Sequence, residues 1–292
     1  MKKVLFTLLG VIACVSFATA QVSLNFNPEK GATYEYTMNM DQKLKQKLMG
    51  QEMPMDQKMH TTYTMRVVEN NAQGVKVAFS YKKVFYEMSS MMMNMKYDSE
   101  TADPAAAGID GILAKVYGGL LGKDFEVMLD KEGTVQSVSG MDEILAAMIE
   151  SFGNDMQLQQ VAQSLQAQFS DEAMKGTFNQ SFQMYPGKAV KVGDTWEVKQ
   201  ESDAGGMPMK IKSTYMLKSA GSGKATLDVV SDIDGMDGSL KGTQGGEITM
   251  DQKTGLPEKS EIMQNMQGTI TTNGMEVEMD IQSTITVTTK KI

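Results

Sequence analysis

Cysteine, histidine, tryptophan and arginine are almost missing from this chain. Its 292 residues include one Cys, one His and one Trp, and the only arginine is Arg66. The lone cysteine, Cys14, falls inside the N-terminal apolar run, which excludes a disulfide scaffold, a thiolate zinc site and a Cys–His pair. One histidine, His60, excludes a His-rich metal site and allows at most one histidine-based triad. His60 falls on the polar face of an alternating strand, so it reads as an exposed bystander. The formal net charge of −8, without clustered Lys/Arg, argues against nucleic acid or an anionic membrane as partner. A hydrophobic share of 41% with 22% charged residues excludes a disordered tail, and a single long apolar run excludes a multispanning membrane protein. GxGxxG, GxxxxGK[ST], GxSxG and HExxH patterns are absent. The segment 232–238, rich in Asp and Gly, lacks the carboxylate spacing of an EF-hand and reads as a polar turn. Two carboxylates brought together by folding would leave no local signature, so a carboxylate hydrolase stays open at this stage. No catalytic residue, metal ligand or cofactor motif stands out, and the expectation is a non-enzymatic protein.

The first twenty residues read as a secretory signal peptide. Lys2 and Lys3 form a basic start, 4–17 an apolar core, and Ala18-Thr19-Ala20 a small-residue cleavage site. The run is too short for a membrane span. The residues around Cys14 loosely resemble a lipoprotein box, but lipidation there would leave Val15-Ser16-Phe17 where a polar tether is expected. Ordinary cleavage is the preferred reading. The expectation is therefore a soluble exported chain, periplasmic or extracellular, with 21–292 as one domain held together by its core alone.

Period-two alternation runs through most of that domain. Over 32–48 the even positions include Tyr34, Tyr36, Met38, Met40 and Leu44, and the odd ones Glu35, Asp41, Lys43 and Lys45. After Gly50 the parity switches, and Met53, Met55, Met59, Tyr63, Met65 and Val67 share the apolar face. The pair predicts a long antiparallel hairpin. Further strands are expected over 75–81, 125–129, 207–217, 225–233, 248–250 and a last one carrying Met275, Val277, Met279, Ile281, Ile285 and Val287. Turn residues at 70–74, 131–133, 221–223, 253–255 and Asn273-Gly274 separate them. A fifteen-residue strand at about 3.3 Å per residue spans roughly 50 Å, so the sheet must twist into a curved sheet or half-barrel.

The block 140–186 changes to helical spacing. Ile144, Leu145, Met148, Ile149 and Phe152, then Leu158, Val161, Leu165 and Phe169, then Met174, Phe178 and Phe182 follow it. Ser139 and Ser170 stand where N-caps would, and Pro186-Gly187 closes the block. A weaker helix is expected over 105–117, interrupted by Gly108 and Gly111. The flanks, 21–139 and 187–292, resemble one another: Gly31-Ala32-Thr33-Tyr34-Glu35 matches Gly193-Asp194-Thr195-Trp196-Glu197, and the Asp130–Gly133 turn matches Asp251–Gly255. The fold expectation is mainly β (α+β), two β-rich repeats in one antiparallel sheet with the helical block on its concave face.

The leader, the G-[AD]-T-[YW]-E openings, the Met-rich strands, the D-x-x-G and D-x-x-x-G hairpins and the phrase Tyr185-Pro186-Gly187-Lys188-Ala189-Val190-Lys191-Val192-Gly193-Asp194-Thr195-Trp196 together resemble a secreted domain family of unknown function common in Bacteroidota. The resemblance covers nearly the whole mature chain. Its motifs are structural, so it implies compartment and fold and no activity. By analogy of architecture the chain is also similar to periplasmic lipoprotein-carrier folds.

Methionine is the positive anomaly, with 28 in the chain. Three readings compete. Met fills irregular cores; it lines a lumen that accepts greasy ligands of varied shape; or the runs Met53-x-Met55 with Met59-His60, Met91-Met92-Met93-x-Met95 and Met207-x-Met209 bind Cu(I) through thioethers. The cavity-lining candidates are Tyr34, Tyr36, Met38, Met40, Met55, Met59, Tyr63, Met65, Trp196, Met209, Tyr215, Met275 and Met279. Trp196 and Tyr34 occupy equivalent places and read as packing anchors. The expected function is binding of a lipid or other hydrophobic small molecule between sheet and helices; the alternatives are a copper(I)-binding protein or a surface interaction module.

Overall fold

The computed structural model describes residues 21–48, 50–152, 156–204, 207–272 and 274–292. The expected signal peptide 1–20, with Lys2, Lys3 and Cys14, lies outside the described residues, as do Asn273 and the side chains of Leu158 and Met207.

The alternating segments form strands β1 (Val22–Ser23), β2 (Thr33–Leu48), β3 (Gln51–Asn71), β4 (Gly74–Ser90), β5 (Asn94–Asp98), β6 (Asp124–Leu129) and β7 (Val135–Ser139), then β8 (Ala189–Val190), β9 (Thr195–Ala204), β10 (Met207–Gly221), β11 (Lys224–Gly235), β12 (Leu240–Asp251), β13 (Pro257–Thr272) and β14 (Met275–Lys291). β1 and β8 pair with each other. The rest make one antiparallel sheet of 12 strands in the order β7-β6-β4-β3-β2-β14-β13-β12-β11-β10-β9, with β5 added on β4. Its two halves join where β2 pairs with β14, and β7 and β9 are its free edges. The fold is mainly β, and the sheet is open.

Helices α1 (Gly108–Leu120), α2 (Met141–Ser151), α3 (Met156–Phe169) and α4 (Asp171–Phe182) supply the other layer. Ser170 caps α4, its side chain accepting from the Ala173 N–H, and Asp171 and Glu172 suit the positive end of the helix. Met174, Phe178 and Phe182 recur every four residues and are buried. Their stripe lies against the sheet: the Phe178 ring sits 4.7 Å from Phe79 of β4, and Phe182 lies 5.9 Å from Tyr36 of β2. Burying one such ring contributes about 1.5–3 kcal/mol.

α4 packs on both β7 and β9. The two edges of the sheet therefore flank one helix, which requires the wall between them to curl. Gly246 of β12 allows part of that bend, because a Cβ there would lie 1.9 Å from the Glu261 oxygen of β13. Gly242 is as tight, at 2.3 Å from the Asn265 oxygen. Only glycine fits such a close approach of strands.

The strand openings at Gly31 and Gly193 close alike. Both glycines have left-handed φ, 82° and 91°, and their N–H groups donate to Val67 at 2.9 Å and to Leu217 at 2.8 Å, respectively.

Four expectations need correction. Ser139 does not cap α2; it ends β7, Gly140 turns the chain, and the Asp171 carboxylate of α4 accepts the Met141 N–H at 2.9 Å instead. α1 starts at Gly108 because left-handed φ is needed there, and Gly111 admits the Ala106 carbonyl. β4 continues to Ser90 because a bulge at Lys82 shifts its register, so that Val84 and Met88 are buried beyond it. β13 was absent from the expected strands and β12 was expected over only three residues, since their inward positions carry Gly, Gln and Ser where alternation calls for apolar residues.

Candidate functional site

Between α4 and the curved wall lies a cavity of about 250 Å³. Tyr36, Met38 and Met40 of β2, three successive inward positions, form one side and run roughly 13 Å along the strand. Ile285 and Val287 of β14, Ser260 and Ile262 of β13, Gln244 and Ile248 of β12, Val229 of β11, and Ile211 and Tyr215 of β10 continue the wall. Thr177, Gln180 and Ser181 of α4, with Met184 and Gln200, complete it. Every lining residue is uncharged.

The helix presents a polar stripe to this space. Thr177 and Ser181 donate back to the helix, to the Ala173 and Thr177 oxygens at 3.2 and 3.3 Å. Gln200 donates from Nε2 to the Asn179 oxygen at 2.7 Å and to the Gln183 oxygen at 3.2 Å. Gln180 differs. Its Nε2 is buried and has no hydrogen-bond partner among the described residues. An unmet buried donor costs about 1–3 kcal/mol.

Burial pushes the Tyr36 phenol well up, with the hydrogen bond to Ser181 opposing, and Tyr215 up to about 12, with Ser213 opposing. Both stay neutral at any ordinary pH, so the lining has no ionised group.

The register of the wall reveals a row that alternation alone hides. Ser213, Ser231, Gln244, Gln264, Ser283, Gln42 and Gln57 stand opposite one another in turn on β10, β11, β12, β13, β14, β2 and β3. Ser213 and Ser231 are hydrogen-bonded at 2.8 Å, Gln244 donates to Ser231 at 3.2 Å, and Gln42 donates to Ser283 at 3.1 Å. On one side the next row reads Tyr215, Val229, Gly246, Ile262, Ile285, Met40, Met59; on the other, Ile211, Ile233, Gly242, Met266, Ile281, Leu44, Met55. This polar belt separates the main core from a second apolar cluster of Ile211, Ile233, Leu240, Met266 and Ile281. The cavity meets the belt at Gln244 and extends past it to Ile211 of the second cluster.

Of the residues singled out in the sequence, Tyr36, Met38, Met40 and Tyr215 meet at the cavity. Tyr63 and Met65 are buried in the main core, Tyr63 against Tyr81 at 4.6 Å. Trp196 is an anchor: its Nε1 donates to the Met184 oxygen at 2.9 Å and its ring stacks on Tyr215. Tyr34 lines a separate pocket of about 300 Å³ with Asn27, Asp251, Pro257 and Lys291. Met209 and Met279 pack on the second cluster. Met55 and Met59 are half-buried on β3, and Met275 is exposed. These last six residues lie outside the cavity lining: Tyr34 is packed in the main core at the start of β2, Met59 stands one strand beyond Met40, and Met55, Met209, Met275 and Met279 lie past the belt toward the far ends of their strands. Gln180, Gln200, Gln244 and Ser260 were missed, since a polar residue at an inward position breaks the pattern by which lining residues are sought.

The methionine–histidine run does not converge. Met53, Met55 and Met59 face inward, while His60 faces out, stacked on Phe85 at 5.2 Å with Nε2 3.7 Å from Asp41. Met91, Met92 and Met93 occupy the exposed turn between β4 and β5, which explains why they break alternation. Among the described residues no group of three or more His, Cys, Asp or Glu side chains is arranged to hold a metal. No helix there is long and apolar enough to cross a membrane.

An open antiparallel sheet curled over a helix, with an uncharged and mostly apolar interior, defines the architecture. The chain belongs to DUF6263, a family of unknown function, whose match covers residues 72–257. No curated protein matches in sequence. Among solved structures the chain is similar to lipovitellin, in a structure concerned with lipid–protein interactions in that protein, with 8% identity and a TM-score of 0.53 over 90% of this chain and 25% of that one. The chain thus spans about a quarter of the lipovitellin chain, and the likeness is one of fold. OccK7 from Pseudomonas aeruginosa (6% identity, TM-score 0.23, 90% of this chain and 100% of that one) and an outer membrane channel from Pseudomonas putida F1 (8%, 0.24, 91% and 98%) also align; at those scores they add nothing to the argument.

Proposed function

We propose that the chain is an exported, non-enzymatic binding protein that holds a hydrophobic small molecule, or the apolar end of a lipid, between α4 and the curved sheet. The observation that carries this reading is the cavity itself: about 250 Å³, a little below the roughly 300–1,000 Å³ of small-molecule sites. Its walls are of Ile, Val, Met and Tyr, its few polar groups are uncharged, and one buried amide nitrogen lacks a partner among the described residues. Met38, Met40 and Met184 let the lining adapt to ligands of different outline. The fold likeness to part of lipovitellin, a protein studied for its contacts with lipid, is consistent with the reading.

The test is titration with the fluorescent probe N-phenyl-1-naphthylamine, together with mass spectrometry of what co-purifies from membrane extract. Saturable binding is expected, and it is expected to disappear when Val229→Phe and Ile262→Phe fill the cavity while circular dichroism stays that of the folded protein. No saturable binding, or binding indifferent to both substitutions in a folded variant, overturns the proposal.

A further inference from the structure

The geometry points to an amphiphile with an uncharged, hydrogen-bonding head group, an alcohol, ester or amide, as the occupant of this cavity. We propose that the head lies where the cavity meets the belt of serine and glutamine, with the apolar tail toward Tyr36. The inference rests on the reading of the cavity as a binding site and goes further by naming the ligand's chemistry.

A wall made only of apolar residues would be cheaper to bury. Each amide or hydroxyl taken from water costs free energy unless it is paired, yet a Ser or Gln stands at every one of the adjoining positions from Ser213 to Gln57. The pairs inside the belt use only part of this capacity. A glutamine amide offers two donors and two lone pairs, and the Gln244 side chain spends one donor on Ser231. Gln244 borders the cavity on the sheet side and Gln180, with its unmet Nε2, borders it on the helix side. A hydroxyl, ester or amide oxygen can accept from the Gln244 amide, and from Gln180 once a turn of its side chain brings the buried Nε2 to the space. A carboxylate or ammonium head would find no opposite charge, since no lining residue is ionised, and an unpaired buried ion costs far more than a neutral group.

Matched ligands separate these cases. The full chain is loaded with N-phenyl-1-naphthylamine and titrated with 1-decanol and with decanoate at about pH 8, where the carboxylate is ionised. Decanol is expected to displace the probe at a concentration at least about tenfold lower than decanoate. Gln180→Leu and Gln244→Leu are expected to shrink that ratio. Gln57→Leu, in the belt but outside the cavity, is expected to keep it. Equal competition by both ligands, or a ratio unchanged in Gln180→Leu and Gln244→Leu, overturns the inference and leaves the belt as a device that sets strand register. If the probe does not bind at all, the cavity reading falls and this inference with it; if it binds without head-group preference, only this inference falls.

Discussion

Gln200 of β9 donates from Nε2 to the backbone oxygen of Asn179 at 2.7 Å. The side-chain oxygen of the same Asn179 accepts the Val135 N–H of β7 at 2.8 Å. One residue of α4 thus joins the two opposite edges of the sheet, which among the described residues pair with no other strand on their outer sides.

Asn179→Ala is therefore expected to cost more than a surface substitution. It leaves the Val135 N–H without its partner at the end of the wall, a loss of about 1–3 kcal/mol. A fall in Tm of several degrees should be seen by thermal melting. A Tm equal to that of the parent chain would show that the bridge is not a tie.

The single tryptophan reports on the same region. Trp196 is buried, and its Nε1 donates to the Met184 oxygen beside the cavity. Its emission should be blue-shifted, poorly quenched by acrylamide, and altered when the cavity is filled. Trp196→Phe should lower stability in urea by at least about 1–3 kcal/mol, since the smaller phenyl ring packs less fully and the Met184 carbonyl loses its donor. Emission typical of exposed indole would contradict the packing.

Alkaline pH should unfold the protein. Burial pushes Tyr81 and Tyr215 up to about 12, whereas the unfolded chain releases such protons near 10. Between these values the native state holds more protons. Its stability, fully present below about 10, falls as pH rises through the window by about 1.4 kcal/mol per unit for each phenol. Tyrosinate absorbance should rise together with loss of the folded circular dichroism signal. Smooth titration near 10 with the fold intact would refute the burial of these rings.

Two glycines offer a matched contrast. Gly246→Ala places a methyl against the Glu261 carbonyl of β13 and should lower Tm strongly or abolish soluble expression. Gly221→Ala meets open space and has no left-handed φ, so it should be neutral or stabilising by a few tenths of a kcal/mol. Equal melting temperatures for the two variants would mean that the bend at β12 is not tight.

The legibility of this fold in its sequence follows the chemistry of the inward positions. Where both rows of a strand differ in polarity, as from Tyr34 to Leu48 or Ile281 to Val287, strand, face and even the hairpin partner can be read directly. The stripe of Met174, Phe178 and Phe182 is as clear for α4. β13 is obscure because Ser260, Gln264 and Gly268 occupy the face that should announce it. The cavity was legible at its β2 wall and at Tyr215 of β10. Its helix side depends on which turn of α4 faces the wall, and the belt depends on a register spanning seven strands, a relation between distant segments that no local window contains.

The bridging position of α4 also sets how the interior can be reached. The bonds from Val135 and Gln200 to Asn179 involve side chains, and none belongs to the ladder between neighbouring strands. Lifting this helix exposes the hollow while the backbone of the wall remains fully paired. Amide hydrogen exchange should accordingly be faster in α4 than in β2 and β14. In the binding role proposed above, entry and exit of a ligand would then call for the movement of a latch, with the container itself left whole.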